Sequence, residues 1–291
     1  MYSDTHFHFH NLTDGDTEQG AAILEEMAQN RTSFAMDIGT RADDLSERQQ
    51  HFEESLDLIE DSVLKGRAEK MIHFTAGIWP DQDSIQERFD CMETLEEQIE
   101  DATDEDCRFA KKLAAIGECG LDHHWNPDGR NEEDFDKNMF EGERELFIMQ
   151  IKLAKKLQLP VVIHSRDAFE DTISCIDEAG YHKGIIHCYS YGENEVKEFL
   201  DRGWHIAFGG AVTYTKKSKL YEMENLLRYV PDDRILLETD APYLTPVPFR
   251  GQPNTPLFIR YTYDFIATKR NITVEKLCKI VDENCKNLFK L

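Results

Sequence analysis

The sequence lacks any apolar run approaching about 20 residues, the length that a transmembrane helix requires, so we expect no membrane span. Its first residues, MYSDTHFHF, also lack the basic segment and apolar core that mark a secretory signal. The seven cysteines are odd in number and form no C-x-x-C pair. This pattern is typical of reduced thiols in the cytoplasm, which is the predicted location.

Basic residues are scarce, since 33 lysines and arginines face 57 aspartates and glutamates and the formal net charge is −24. This balance argues against broad electrostatic binding of nucleic acid, because such proteins neutralise phosphates with lysine and arginine. The charge is unevenly distributed. Residues 81–106 include twelve acidic residues and one basic residue, whereas residues 241–291 include eight basic and four acidic residues. We expect the first segment to be a solvated helix face and the second to contain a local positive patch.

No glycine-rich turn follows the first strand candidate, although open, doubly wound α/β sheets typically have one there. Instead, eight apolar strand candidates alternate with amphipathic helix candidates, a pattern typical of βα units around a parallel sheet. The strands are predicted at residues 2–9, 33–38, 72–78, 114–121, 160–164, 184–187, 205–208 and 234–238, and the longest helix at 132–157. Eight such units favour a (β/α)8 TIM barrel that forms one domain over residues 1–291.

Residues of the kind that bind metal ions lie at the ends of five predicted strands. His6 and His8 are two residues apart in the first strand, so their side chains point to the same face. Four later strands end in such residues: Glu118 in AAIGECGLD, His164 in PVVIHSRDA, His187 in GIIHCYS and Asp240 in ILLETDAP. Because the active site of a barrel lies at the carboxyl ends of its strands, we expect these six side chains to meet there.

Four imidazoles and two carboxylates exceed the three protein ligands of a single catalytic zinc ion, and they suit two metal ions. We predict that Glu118 bridges the two. Paired ions lower the pKa of a shared water, which makes a nucleophile at neutral pH, and they stabilise charge on a phosphoryl or carbonyl oxygen. Asp240 is then the candidate that accepts the proton of this water and returns it to the leaving group. Ligation rich in imidazole suits zinc, iron or manganese.

Three further residues are candidates for binding substrate. Arg166 follows the fifth strand, and Arg250 and Asn254 lie in the proline-rich segment PYLTPVPFRGQPNTP. Arginine is suited to bidentate recognition of phosphate. Asp122 is predicted to orient a ligand or to cap a helix, and Trp125 is predicted either to stack on a nucleobase or to pack against the protein.

These stretches resemble the TatD family of metal-dependent hydrolases, within the amidohydrolase-like TIM barrels. DTHFHF, AAIGECGLD, PVVIHSRDA, GIIHCYS and LLETDAPYLTP match five family motifs in order, and RGQPNTP resembles its substrate loop. The resemblance implies a deoxyribonuclease of the 3′-5′ exonuclease type that uses magnesium or manganese and acts on single-stranded DNA or DNA ends. It also implies that one metal ion is held by His6 and His8 and the other by His164 and His187, with Glu118 as the bridge and Asp240 as ligand and acid/base.

Two segments depart from the family pattern. One is the acidic segment 81–106, which is unusually charged and which we expect to weaken binding of long DNA. After the third strand the family has Gly-x-His-Pro-His, whereas this chain has GIWPD and neither histidine. We therefore expect different substrate contacts at this position.

Two other functions are compatible with the residues themselves. A hydrolase of small phosphoesters or amides, with no nucleic-acid role, would suit the acidic surface. An inactive barrel would use the acidic segment 81–106 as an interaction surface. The intact ligand set argues against an inactive barrel, because a site without function tends to lose buried polar groups that cost free energy.

Overall fold

The structure, a computed structural model, describes residues 1–126, 130–132 and 135–290. Eight strands form one sheet in chain order, and each strand pairs in parallel with the next. They are β1 (Ser3–Phe7), β2 (Phe34–Asp37), β3 (Ile72–Ala76), β4 (Leu113–Asp122), β5 (Val161–Arg166), β6 (Gly184–Ile186), β7 (His205–Phe208) and β8 (Ile235–Leu237). The eight predicted strands all overlap the observed ones, and the predicted (β/α)8 barrel is confirmed.

The barrel closes between β1 and the segment that follows β8. The amide of Asp240 donates a hydrogen bond to the carbonyl oxygen of His6 at 2.8 Å, and the amide of His8 donates to the carbonyl of Ala241 at 2.8 Å. Phe7 and Ala241 also form a parallel bridge. These contacts bring the first and last predicted ligand segments side by side.

Helices connect the strands and cover the outside of the barrel. They are α1 (Phe9–Thr13), α2 (Thr17–Gln29), α3 (Leu45–Asp57), α4 (Ser62–Met71), α5 (Gln82–Gln86), α6 (Arg88–Ala102), α7 (Lys137–Leu157), α8 (Phe169–Ala179), α9 (Glu193–Asp201), α10 (Leu220–Tyr229), α11 (Ile259–Arg270) and α12 (Val274–Phe289). Strands β1, β2, β6, β7 and β8 are buried at every residue. This is the pattern of a parallel sheet with one face inside the barrel and the other against helices.

The longest helix begins later than predicted. The prediction of residues 132–157 was wrong at its start, because α7 begins at Lys137. The Asp136 carboxylate caps this end and accepts hydrogen bonds from the amides of Asn138 and Met139. Residues 133 and 134 of the predicted helix lie outside the described residues.

The acidic segment 81–106 contains α5 and α6. Helix α6 buries Met92, Leu95 and Ile99 on one face, and most of the acidic side chains of the segment are exposed. In the part of the chain that the structure describes, no helix is both long and apolar enough to cross a membrane. The cytoplasmic location and the single-domain organisation stay predictions.

Candidate metal centre

The six predicted ligand residues meet at the carboxyl end of the barrel. His6 lies in β1, and His8 follows that strand directly. Glu118 lies in β4 and His164 in β5, while His187 follows β6 and Asp240 lies three residues beyond β8. All eight strands are parallel, so these strand ends share one rim of the barrel and the side chains converge there.

Glu118 occupies the middle of this cluster. Its Oε1 lies 3.0 Å from His164 Nδ1 and 2.9 Å from His187 Nε2. Its Oε2 lies 3.3 Å from His6 Nε2 and 3.9 Å from His8 Nε2. One carboxylate thus faces two pairs of imidazoles, with a different oxygen toward each pair.

Asp240 lies on the side of the first pair. Its Oδ1 is 3.6 Å from His6 Nε2 and 3.5 Å from His8 Nε2. The ring of His6 also stacks on the ring of His187, with centroids 4.0 Å apart. The two imidazole pairs are therefore neighbours in one compact cluster.

The backbone beside His8 is fixed by a buried ion pair. Asp37, at the end of β2, accepts a hydrogen bond at Oδ1 from the amide of Phe9 at 2.8 Å. Its Oδ2 lies 2.7 Å from Nη1 of Arg48, and the same guanidinium lies 2.9 Å from Asp44. The guanidinium and both carboxylates are almost completely buried, so the turn that follows His8 rests on a rigid support.

Two other carboxylates contact the second imidazole pair. Asp122 Oδ2 lies 3.1 Å from His164 Nε2, and Glu238 Oε1 lies 3.5 Å from His187 Nδ1. Each imidazole thus has a carboxylate next to the nitrogen that points away from Glu118. Carboxylates in this position fix the ring orientation of metal-binding histidines and raise their basicity. The contact of Asp122 is the one that its predicted orienting role requires.

Glu238 and Asp4 belong to the site, although the sequence gives no distinctive signal for either. Glu238 Oε1 accepts a hydrogen bond from the amide of Cys188 at 2.5 Å. Asp4 accepts hydrogen bonds from the amide of Thr239 at 2.9 Å and from its hydroxyl at 2.7 Å, which ties β1 to the end of β8. Each stands within two residues of a predicted ligand, in SDTH and ETD, but acidic neighbours are too common in this chain to single them out.

Electrostatics keep the two central carboxyl groups ionised. Burial alone would raise the pKa of the Glu118 carboxyl, but the imidazoles around it, His187 foremost, outweigh burial and hold this pKa well below its ordinary value. Burial would also raise the pKa of Asp240. The hydrogen bond from His8 and the neighbouring imidazoles outweigh burial and lower this pKa. Both groups are therefore anionic at neutral pH, which is the form that binds cations.

The donor set fits divalent metal ions. Both ring nitrogens of His6 are buried without a hydrogen-bond partner among the described residues, although Nε2 lies close to Glu118. A buried polar atom without a partner costs free energy, and ligation of a metal ion would remove that cost for Nε2. Imidazole and carboxylate are ligands for zinc, manganese and related ions. Ligand atoms lie within 4.8 Å of one another in three groups: His6, His8 and Asp240; Glu118, His164 and His187; and His6, His187 and Glu238.

A cavity of about 460 Å³ opens above the cluster. Its walls include, beyond the predicted ligands, Asn11, Thr40, Arg41, Trp79, Asp81, Asp122, Arg166 and Tyr243. Arg166, predicted to contact substrate, thus lines this cavity, and among the described residues no carboxylate lies within ion-pair distance of its guanidinium. Arg41 differs, because Asp43 and Glu47 already engage it.

The other predicted substrate residues lie elsewhere. Asn254 is buried, and its side-chain amide donates hydrogen bonds to the carbonyls of Thr239 at 2.8 Å and Tyr243 at 2.6 Å. It holds the loop after β8 instead of facing the cavity, which differs from the predicted substrate contact. Arg250 is exposed on the same loop and lies 4.2 Å from the ring centroid of Tyr214, outside the cavity lining.

Trp125 packs against protein, which is the second of its two predicted roles. Its ring centroid lies 5.4 Å from that of Phe135 and 6.0 Å from that of Phe140. A different tryptophan, Trp79, lines the cavity. It belongs to GIWPD, a segment where the sequence departs from the family pattern.

The chain matches a known protein family. The sequence model of the family described as "TatD related DNase" matches residues 3–290. The chain belongs to this family. It is a metal-dependent hydrolase of the TatD family with a His/Glu/Asp cluster suited to metal.

Curated relatives match about two thirds of the chain. The uncharacterized metal-dependent hydrolase YabD of Bacillus subtilis is 38% identical over 199 residues, which are 66% of this chain and 73% of YabD. The uncharacterized metal-dependent hydrolase YcfH of Escherichia coli is 34% identical over 62% of this chain and 63% of YcfH. A 3′-5′ ssDNA/RNA exonuclease TatD of Rahnella is 33% identical over 62% of this chain and 66% of that protein. This chain thus aligns with less than two thirds of the length of YcfH.

Solved structures match almost the whole fold. YjjV, a TatD homologue from Escherichia coli K12, superposes with a TM-score of 0.74 at 26% identity and covers 100% of this chain and 98% of its own. A TatD family hydrolase from Entamoeba histolytica superposes with a TM-score of 0.77 at 19% identity, over 99% of this chain and 97% of its own. At that identity the second likeness concerns the fold alone.

Proposed function

We propose that this chain is a two-metal phosphodiesterase that removes nucleotides from single-stranded DNA or DNA ends, as a 3′-5′ exonuclease. One observation carries the proposal: each carboxylate oxygen of Glu118 faces a different pair of imidazoles at the floor of an open cavity. A carboxylate placed in this way is suited to bridge two ions.

The ligands divide between two sites. His6 and His8 would hold one ion, His164 and His187 the other, and Glu118 would contact both. When bound, the ions supply Lewis-acid stabilisation of phosphate charge and activate water as a nucleophile. Magnesium or manganese is favoured by the resemblance to the family, and zinc is compatible with the four imidazoles.

Asp240 has the position of an acid/base group. Its Oδ1 faces His6 and His8, so Oδ2 is the oxygen that would accept a proton from the attacking water and return it to the leaving oxygen. The lowered pKa of Asp240 leaves its carboxyl group ionised at neutral pH, which is the form that accepts a proton.

A nucleic-acid substrate is supported by relatives and by the cavity. Two relatives at 33% and 32% identity are named 3′-5′ ssDNA/RNA exonucleases. Arg166, at the cavity wall, is the proposed phosphate contact. Arg250 and Asn254 would contribute through the loop after β8, which holds Tyr243 in the cavity wall.

The net charge of −24 favours a second candidate function. A strongly acidic surface repels long polyanions but affects small substrates less. A hydrolase of small phosphoesters or amides would use the same metal centre and the same Asp240.

The proposed function can be tested with the chelated protein reloaded with magnesium, manganese or zinc and a 5′-labelled single-stranded DNA. We expect stepwise shortening from the 3′ end. We expect Asp240→Asn to lower kcat by about 10²- to 10⁴-fold, the usual contribution of a general acid/base. Asp233→Asn, at an exposed ion pair with Arg234, is the matched control and should leave the rate unchanged. If the protein binds metal but shortens the DNA with none of the three ions, the second candidate function is favoured. A panel of small phosphoesters and amides then tests that function.

A further inference from the structure

Two aromatic rings lie beside the metal centre, and each contacts a histidine of a different imidazole pair. The ring of Trp79 meets that of His164 edge to face, with centroids 5.8 Å apart and an interplanar angle of 69°. The ring of Tyr243 meets that of His8 in the same manner, at 5.8 Å and 73°. Both line the same cavity. A group held at Glu118 would therefore have an aromatic ring next to each of the two imidazole pairs.

Both rings present area to solvent at the cavity. Tyr243 is 51% exposed, and Trp79 is partly exposed. Trp79 also borders a second cavity of about 330 Å³, whose other walls include Pro80, Gln82 and Phe135. Space for a longer ligand thus continues beyond Trp79.

Backbone hydrogen bonds hold the main chain of both residues beside the metal centre. The amide of Trp79 donates a hydrogen bond to the carbonyl of Thr40 at 2.9 Å, and the amide of Tyr243 donates to the carbonyl of Asp240 at 2.7 Å. Tyrosine and tryptophan lose little conformational entropy on binding because they have two side-chain torsions. Such rings bind planar groups at low entropic cost.

We propose that Trp79 and Tyr243 stack on two unpaired nucleobases, one on each side of the phosphodiester bond that is cut. This inference rests on the proposed nuclease function and deepens it, since it assigns the substrate class as single strands of at least two nucleotides. Stacking is tolerant of sequence, because every base has a π-face.

Size and charge both support stacking as the main source of affinity. A cavity of about 460 Å³ lies in the range of small-ligand pockets and does not admit a duplex. A base must leave its pair to reach either ring. Stacking also needs no broad basic surface. This chain has a net charge of −24, and the described part of the cavity wall has no such surface. Among the described residues that line the cavity, Arg166 is the cation without an ion pair. Stacking on the two rings therefore explains how an acidic protein would hold a nucleic-acid end.

The test measures binding in the metal-loaded Asp240→Asn protein, where turnover is slow. Fluorescent 2-aminopurine is placed either at the 3′-terminal or at the penultimate position of a short single strand, because stacking quenches it. We expect both positions to be quenched on binding. Trp79→Ala should release the quenching at one position and Tyr243→Ala at the other. Each variant should also weaken affinity by about 5- to 150-fold, the range for loss of one stacked base.

Controls separate stacking from general damage. Trp79→Phe and Tyr243→Phe keep a ring and should retain most of the affinity. Tyr229→Ala removes a partly exposed ring at the far end of α10 and should change nothing. An abasic strand of equal length should bind the alanine variants and the parent equally.

Three outcomes would overturn the inference: quenching at neither position, release of the same position by both alanine variants, or equal losses of affinity for base-bearing and abasic strands. The proposed nuclease function is judged separately, by shortening of DNA in the wild-type protein. Stacking without shortening would reject the nuclease function alone, and shortening without stacking would reject the inference alone.

Discussion

At the scale of single residues, the site depends on carboxylates behind the imidazoles as well as on the ligands themselves. Asp122 and Glu238 each contact the far nitrogen of a histidine, and Glu238 is fully buried with Oε2 unpartnered among the described residues. A buried carboxylate without full hydrogen bonding costs free energy. Its Oε1 lies 3.5 Å from His187 Nδ1, a position suited to hold that imidazole in one orientation.

Glu238→Gln should therefore weaken metal binding while the barrel stays folded. The amide keeps the size of the side chain but loses the charge that supports His187. We expect affinity for the ion at His164 and His187 to fall by about 10- to 100-fold, the usual effect of altering such a partner. Competition with a fluorescent chelator measures it, and circular dichroism verifies folding. Unchanged affinity would remove Glu238 from its positioning role.

The residue types and their meeting at one rim were predictable from the sequence, whereas the use of each side chain was not always so. The six ligand-type residues follow apolar runs, and parallel strands place their carboxyl ends together. Asn254 lies in the predicted loop, but its amide completes backbone hydrogen bonds of that loop. The choice between Trp125 and Trp79 depends on tertiary packing, which leaves no periodic trace in the sequence.

At the scale of elements, the turn from β1 into α1 depends on an ion-pair network that residues of β2 and α3 supply. Arg48 of α3 pairs with Asp37 and Asp44, and it also donates to the carbonyl of Thr75 at 2.6 Å. One guanidinium thus joins α3 to the ends of β2 and β3. Strands β2 and β3 overlap the strands that apolar periodicity predicted, whereas the network required contacts between residues far apart in sequence.

Arg48→Ala should destabilise the protein strongly, because it leaves two buried carboxylates without a cation. Removing one partner of a buried ion pair usually costs about 3–5 kcal/mol. Lys137→Ala is the matched control, since Lys137 and Glu141 form an exposed pair for which we expect less than about 0.5 kcal/mol. Urea unfolding of both variants gives the free energies. Equal small losses would show that the network is dispensable.

At the scale of the whole molecule, histidines outside the metal centre limit stability in acid. His73 and His205 lie in β3 and β7, and burial, aided by Lys112 and Arg234 respectively, lowers the pKa of each to about 4. An unfolded histidine titrates near pH 6.5. Between these values the unfolded chain binds more protons than the folded one, so stability falls as the pH drops from about 6.5 toward 4.

His73→Phe should relieve part of this loss. The ring of His73 stacks on Phe34, and phenylalanine preserves that contact. The difference in unfolding free energy between the variant and wild type should be about 2 kcal/mol more favourable to the variant at pH 5 than at pH 7. At pH 5 the neutral, buried histidine lowers the stability of wild type. Urea titrations at the two pH values measure the change. A difference independent of pH would show that His73 is protonated equally in both states.

The seam between β1 and β8 has a consequence for biosynthesis. Glu118, His164 and His187 have all been synthesised once residue 187 is added to the chain, but Asp240, the carboxylate that faces His6 and His8, is added only after β8. The amide of Asp240 is also what docks on His6 to close the barrel. A nascent chain therefore holds only half of the centre, and the machinery for hydrolysis becomes complete only when the last strand joins the first.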